Sequence, residues 1–445
     1  MTHRLIHATT NHVARRAAVT VATTVLALAT AAPPVLAEEP VTVRLSTSTE
    51  YAQADGDSSW PALSGDGFQL AFASEATTLV PDDTNGVHDV FVFDLETGET
   101  TRVSLDSAGV EGDDRSGKPS ISADGRFVAF ESAAGNLVAD DSNGQQDIFV
   151  HDRQAGETTR VSVADDGSDA VGSSTWPSIS ADGSLVAFTS FAGNLVADDS
   201  NGLGDVFVHD LTTGETTRVS VGPEGVEGDG TSEEPSMSSD GRYVAFVSMA
   251  TNLVADDSNE QRDAFVHDRV TGQTLRVSVA SDGSQGDGPV YQPILSADGG
   301  LVAFTSSAAT LVADDGNLES DVFVHDVATG ETTRVNLNTA GNELRDDSSD
   351  VAMSANGRFV VFVTGDSYVV KDDTNESADV FLVDRKKGVT TRLSIGSGGE
   401  QADGNSYATA LSADGSLVAF VSSAGNLVPD DDNGASDIFV RGPLR

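Results

Sequence analysis

The chain of 445 residues contains no cysteine, which excludes a disulfide framework, a lipid-modified cysteine anchor and a cysteine nucleophile. Positive charge is scarce: 25 Lys and Arg stand against 70 Asp and Glu, for a formal charge of −45. A surface of that sign repels nucleic-acid phosphates and anionic lipid and favours cations or basic partners, so no nucleic acid is expected to bind. Beyond residue 37 no apolar run reaches the roughly 18 residues of a membrane helix, and no membrane insertion is expected of that part. Nor does it show the 3.6-residue apolar period of a helix, which leaves an all-β class. The sequence has no G-x-S-x-G, no H-E-x-x-H and no phosphate-binding glycine loop, so no linear catalytic signature is present.

What the first 37 residues hold is an export signal. Arg4, Arg15 and Arg16 give a basic start, Ala17 to Ala32 is uncharged and rich in apolar and small residues, and Val35-Leu36-Ala37 fits a cleavage site ahead of Glu38. The Arg15-Arg16 pair leaves a twin-arginine route open beside the general one. A secreted, periplasmic or cell-envelope location is expected, with residues 38–445 as the mature chain, at a charge of −48.

Those 408 residues are two more than seven repeats of 58. The motif D-D-x-N-x-x-x-D begins at Asp82, Asp140, Asp198, Asp256, Asp314, Asp372 and Asp430, with no insertion or deletion between copies. A period of that length marks a stacked or circular repeat architecture. Within residues 119–176 the pattern predicts a short strand over Pro119 to Ser122, an Asp124-Gly125 turn and a second strand over Arg126 to Ser132. A fourteen-residue acidic loop follows, then a third strand over Asp147 to Asp152 and a fourth over Glu157 to Val163. The second strand is apolar on both faces (Phe127, Val128, Ala129, Phe130), so both faces must be covered. The reading is a seven-bladed β-propeller of four-stranded blades, with a linear β-solenoid as the alternative. The last repeat ends after its third strand, and Val41 to Ser46 aligns with the fourth, so the N-terminal strand is expected to complete the last blade and close the ring.

The signature P-x-I-S-A-D-G-x-x-V-A-F, followed by D-I-F-V-H-D and T-T-R-V-S, resembles the TolB-type, WD-repeat-like β-propeller family of exported bacterial proteins. The resemblance covers the whole mature chain and implies the fold. It carries little about function, since related propellers serve as periplasmic interaction proteins, peptidase domains and polysaccharide lyases. TolB itself has a six-bladed ring and a further domain, for which seven repeats leave no room.

Strand parity places the acidic loop and the blade-to-blade connection on one face of the ring and the tight turns on the other. In that loop Asp141-x-Asn143-x-x-x-Asp147 has the residue types and spacing of half a calcium loop, whose first ligand is replaced by Ala139, Pro81 or Lys371. Gly86, Gly144, Gly202 and Gly434 keep the turn glycine, while Glu260, Leu318 and Glu376 do not. The candidate calcium ligands are therefore Asp83, Asn85 and Asp89 in blade one, Asp141, Asn143 and Asp147 in blade two, Asp199, Asn201 and Asp205 in blade three, and Asp431, Asn433 and Asp437 in blade seven. Lys371 disfavours blade six. The competing reading is that these Asp and Asn only form turns. Leu137 and Val138 are expected to anchor the loop.

Other recurrent residues read as structural. The Asp-Gly of S-A-D-G suits a tight turn. His151, His209, His267 and His325, one per blade, are expected to pack against neighbouring blades. Asp152 opposite Arg160, like Asp210 and Arg218, is expected to form a cross-strand ion pair, although blade seven has Gly442 in place of the Asp and keeps Arg44. Trp60, Trp176 and Tyr291 fall just upstream of inner strands, and Arg345 and Lys371 break the repeat in blade six. The function expected is an exported, monomeric, non-catalytic propeller that binds calcium through its acidic loops and a protein or polysaccharide partner. The alternative is a carbohydrate-active hydrolase or lyase with its site at the central pore.

Overall fold

The computed structural model describes residues 39–164 and 166–444; the export signal expected over residues 1–37 lies outside them. These residues form seven sheets of four antiparallel strands each, a seven-bladed β-propeller. Blade one runs outward through Ser58–Leu63, Gln69–Ser74, Asp89–Asp94 and Thr100–Arg102, and blades two to six repeat this order. Blade seven takes three strands from the C-terminal end, Ser406–Leu411, Val418–Ser422 and Asp437–Gly442, and its outer strand from the N-terminal end, Val41–Arg44, in the register Val43↔Val440. Among the described residues the one helical element is a 3-10 turn at Pro223–Gly225, and no helix is long and apolar enough to cross a membrane.

Two-sided burial of the middle strands follows from their apolar composition. Phe130 of the second strand and Phe149 of the third face each other at 5.9 Å between ring centroids, fully buried, and a Phe pair recurs at this place in every blade, as in Phe188–Phe207 and Phe420–Phe439. The clusters these rings belong to run across blade boundaries, as where Phe130 packs with Val90 and Val103 of blade one. Such a pair contributes roughly 0.5–1.5 kcal/mol beyond its buried area.

The Asp-Gly turns are structural, as expected. Asp124 Oδ1 accepts the Ser122 hydroxyl at 2.8 Å and the Arg126 amide at 3.0 Å, and Gly125 takes a φ of 70°. Residues next to these turns bond from blade to blade: the amides of Asp66, Ala123, Ala181, Ser239, Ala297 and Ala355 donate in turn to Ala123, Ala181, Ser239, Ala297, Ala355 and Ala413 carbonyls at 2.8–3.0 Å. The blades are thus laced together at the axis on the turn face. Gly65 completes the series where the others have Ala or Ser, and a Cβ there would meet the Ala123 Cβ at 2.9 Å.

Two expectations need correction. Asp152 does not pair with Arg160. The register sets Asp152 against Glu157 and Arg160 against Phe149, so the two charges sit at opposite ends of the hairpin. Asp152 instead takes a bidentate bond from Arg126, at 2.9 and 2.6 Å, which holds its carboxyl down at about 2. Asp210 likewise accepts the Thr212 and Thr213 amides rather than Arg218. The inner strand also starts three residues before the expected Pro119, at Ser116, and carries a bulge between Gly117 and Ser120.

Candidate functional site

The acidic loop begins from its anchor. Leu137 is 1 % exposed and Val138 packs beside it in the same cluster, so the chain beyond them turns back over the blade edge. The turn forms with or without glycine: Glu260, Leu318 and Glu376 hold φ of 57°, 64° and 53°, close to the 62° of Gly144. Loss of that glycine therefore does not separate the blades, contrary to the sequence argument.

The candidate ligands converge, with an arginine among them. In blade two the Asp147 side chain is fully buried, Ser162 Oγ donates to it at 2.5 Å, and Asn143 Nδ2 donates to its other oxygen at 2.7 Å. The same asparagine donates to Ala170 O and accepts the Gln145 amide, so its polar atoms tie the loop to the blade-to-blade connection. Asn85, Asn201 and Asn433 bond in the same way to Asp89, Asp205 and Asp437. Into this cluster reaches the outer-strand arginine. Arg160 Nη1 lies 3.1 Å from Asp141 and 3.7 Å from Asp147, and Arg44 stands equally by Asp431 and Asp437 at 3.1 and 3.5 Å. That explains why Arg44 is kept in a blade that lacks the Asp at position 442. The loop carboxylates thus have a built-in cation, which the sequence reading assigned to the wrong aspartate.

A third acidic position decides how the arginine is shared. It falls in the blade-to-blade connection and is Glu111, Glu227 and Glu343 in blades one, three and five, Asp169 in blade two, and Gln285, Gln401 and Gln53 in blades four, six and seven. Where it is Glu, the arginine is drawn to it, at 2.7–2.8 Å, and stands 3.6–3.9 Å from the loop aspartate, Asp83, Asp199 or Asp315. Where it is Gln or the shorter Asp, that distance is 3.1 Å in all four blades. In the Glu blades one ligand oxygen from each of the three carboxylates falls within 4.8 Å of the others. Burial, then repulsion from Asp89, Asp205 or Asp321, pushes Asp83, Asp199 and Asp315 up to about 6. Burial, moderated by Arg44, also takes Asp431 to about 6, where the Gln53 amide bonds it at 2.8 Å.

The second candidate is the mouth of the central channel on the same face. One position of the inner strand, at the bulge, has φ between 43° and 57° in all seven blades, and its occupants are Trp60, Lys118, Trp176, Glu234, Gln292, Asp350 and Ala408. A left-handed backbone costs a non-glycine residue roughly 1–2 kcal/mol, and such strain clusters at functional sites. The side chains of this ring lean on the following blade. Lys118 Nζ lies 3.4 Å from the Trp176 ring centroid, and Glu131 accepts the Trp176 amide. Glu234 accepts the Gln292 amide at 2.8 Å, Gln292 the Asp350 amide at 3.1 Å, and Asp350 the Ala408 amide at 3.1 Å. Trp60 lies on the backbone of Gly117, where a Cβ would meet its ring at 2.9 Å. Trp60, Trp176 and Tyr291 remain 40–42 % exposed. They sit within the inner strands rather than upstream of them.

Sequence reasoning singled out the aromatics but missed Lys118, Glu234, Gln292 and Asp350. Stacking the seven repeats would have exposed them as an inner-strand column whose chemistry changes at every blade. Of the expected breaks in symmetry, Arg345 lies over the Tyr368 ring at 3.5 Å. Below the mouth the channel turns apolar, lined by Leu63, Ile121, Ile179, Met237, Leu295, Met353 and Leu411. A wider groove of about 530 Å³ lies between blades one and two by Arg126 and His151; similar grooves recur between other blades, so it reflects blade packing. The histidines belong to that packing. His151 is buried and shares a hydrogen bond with Thr158 Oγ1 at 2.9 Å, and that hydroxyl bonds the Leu105 carbonyl of the previous blade.

In blades one and four the two candidates meet at the residue before the third strand. His88 precedes Asp89 and lies 5.9 Å from the Trp60 ring. Arg262 precedes Asp263, bonds Glu233 and Glu234, and covers the Tyr291 ring.

No family model matches the chain, and no curated protein matches it. Solved structures do, at a level that establishes the fold. An oligogalacturonate lyase in complex with manganese is 14 % identical with a TM-score of 0.56, over 91 % of this chain and 93 % of that one. The β-propeller domain of the Trilobed protease from Pyrococcus furiosus is 10 % identical with a TM-score of 0.52, over 86 % and 95 %. TolB from Acinetobacter baumannii is 17 % identical with a TM-score of 0.40, over 69 % of this chain, which spans about three fifths of that TolB, 59 %. The chain is a β-propeller with TolB-like and enzymatic propellers among its structural neighbours.

Proposed function

We propose that this chain is an exported, non-catalytic binding protein that takes a polysaccharide chain at the channel mouth, on a face whose acidic loops hold calcium. The observation that carries the reading is the seven-membered ring of strained, chemically different side chains on an otherwise repeated scaffold. Exposed rings at Trp60, Trp176 and Tyr291 supply apolar stacking faces, and polar groups at the same level, Gln292 and Asp350, stand ready for hydroxyls. A non-catalytic role is supported by how the mouth carboxylates are used. Glu131, Glu234 and Asp350 each accept a backbone amide of the next blade, so they fix the ring rather than await a proton.

Affinity electrophoresis and a glycan array test the reading. Binding of a polysaccharide that Trp60→Ala with Trp176→Ala abolishes is the expected result. Capture of a protein instead would replace the ligand class, and release of reducing or unsaturated ends from a bound glycan would replace binding with catalysis.

A further inference from the structure

We infer that calcium is held in blades one, three and five only, by the loop aspartate, the third-strand aspartate and the connection glutamate acting together. The inference rests on the reading that the acidic loops hold calcium, and changes both where it is held and by what. In blade one the set is Asp83, Asp89 and Glu111, with one oxygen from each inside a 4.8 Å span. Oxygens bound to one calcium at 2.3–2.6 Å lie at most about 5 Å apart, so the span fits one ion.

A second observation is independent of the clustering. Asp83 Oδ1 is buried and accepts no hydrogen bond, and its side chain is 2 % exposed. The same holds for Oδ1 of Asp199 and Asp315. A buried carboxylate oxygen with no donor is costly, and here the cause is visible: the glutamate draws the arginine away from it. Asp373 Oδ1 also lacks a hydrogen bond, but Arg392 keeps its 3.1 Å approach there. Charge separates the glutamate blades from the glutamine blades in the same way. Three carboxylates against one guanidinium leave two negative charges, which one divalent cation balances. The glutamine blades carry one carboxylate fewer. In blade two the shorter Asp169 engages Arg160 through Nη2 and leaves Nη1 at Asp141. Oxygen donors alone select a hard cation.

The glutamine blades also supply the control, since Glu111→Gln gives blade one the residue that blades four, six and seven already carry. Metal-free protein is titrated with calcium chloride by calorimetry, and bound calcium is counted after dialysis. Three ions per chain are expected, two for Glu111→Gln, none for Glu111→Gln with Glu227→Gln and Glu343→Gln, and four for Gln285→Glu, each variant shown to be folded by circular dichroism. No calcium bound at about 1 mM would overturn both this inference and the reading beneath it. A count that Glu111→Gln leaves unchanged would overturn this inference alone and leave calcium in the loops by other ligands.

Discussion

The acidic loops and the channel mouth share one face and are a single residue apart at His88 and Asp89, yet the repeat treats them in opposite ways. Around the loops the chemistry is held nearly constant: an aspartate, an asparagine, a second aspartate and an arginine recur in all seven blades. At the mouth the backbone is constant and the chemistry is free, with one strained φ carrying seven side chains of which only two are alike. The lesson is that repetition here builds a frame, and that departure from repetition marks the mouth proposed above as the binding site. The glutamate column stands between the two, because it varies within the frame.

The largest effect that would break the contrast comes from the frame. Arg160→Ala leaves Asp141 and Asp147 buried without their cation, and a loss of about 3–5 kcal/mol is expected in denaturant unfolding. Asn143→Ala removes the donor shared by Asp147 and Ala170, with an expected loss of about 1–3 kcal/mol by the same measurement. At the mouth Trp176→Ala should cost less than about 1 kcal/mol of stability, because the ring is already two-fifths exposed, while weakening glycan binding about tenfold. A frame mutation that spared stability, or a mouth mutation that unfolded the protein, would erase the distinction.

Smaller effects sharpen it through pH. Burial holds His267 down at about 4, so the ring stays neutral in the folded protein while the unfolded chain takes up its proton below about 6.5. At this position the unfolded state then binds more protons, and the contribution of His267 to stability falls as pH drops from about 6.5 toward 4. His267→Gln should flatten that part of a melting-temperature profile. Asp152 has the opposite range. Its carboxyl, held at about 2 by Arg126, contributes stability above the ordinary carboxylate range that is lost as pH falls through that range toward 2. Asp152→Asn should lower the melting temperature only modestly at neutral pH, because the Arg126 side chain is 41 % exposed, and the deficit should vanish as pH falls toward 2.

Much of this was legible in the chain. A strict 58-residue period, two-sided apolar strands and a missing last strand specify a closed seven-bladed ring, because each is local or a matter of counting. The Asp124-Gly125 turn and the Leu137 anchor are equally local. Arg160 was misassigned because its partner is chosen by the return of a loop, Asp141 lying nineteen residues earlier, where strand order alone points to Asp152. The mouth was half legible: aromatic side chains announce themselves, but nothing in Lys118 or Asp350 taken singly reveals a bulge that aims them at the axis. The role of Glu111 emerges only from comparing seven arginine geometries.

The closure of blade seven has a consequence for how the molecule is made. Val41–Arg44 is among the first segments of the described chain to be synthesised, and its neighbour in the sheet is among the last; Arg441 reaches back 399 residues to Thr42. Blades one to six can form as the chain lengthens, each from contacts within two repeats, while the seventh must wait for both ends. The ring is therefore an open arc until Asp437–Gly442 has been made. During that interval the axial face of blade one and the inner strands of blade seven are uncovered apolar edges. The first strand acts as a latch that can be thrown only once Asp437–Gly442 has been made, so a product truncated before that strand would be left with its core exposed.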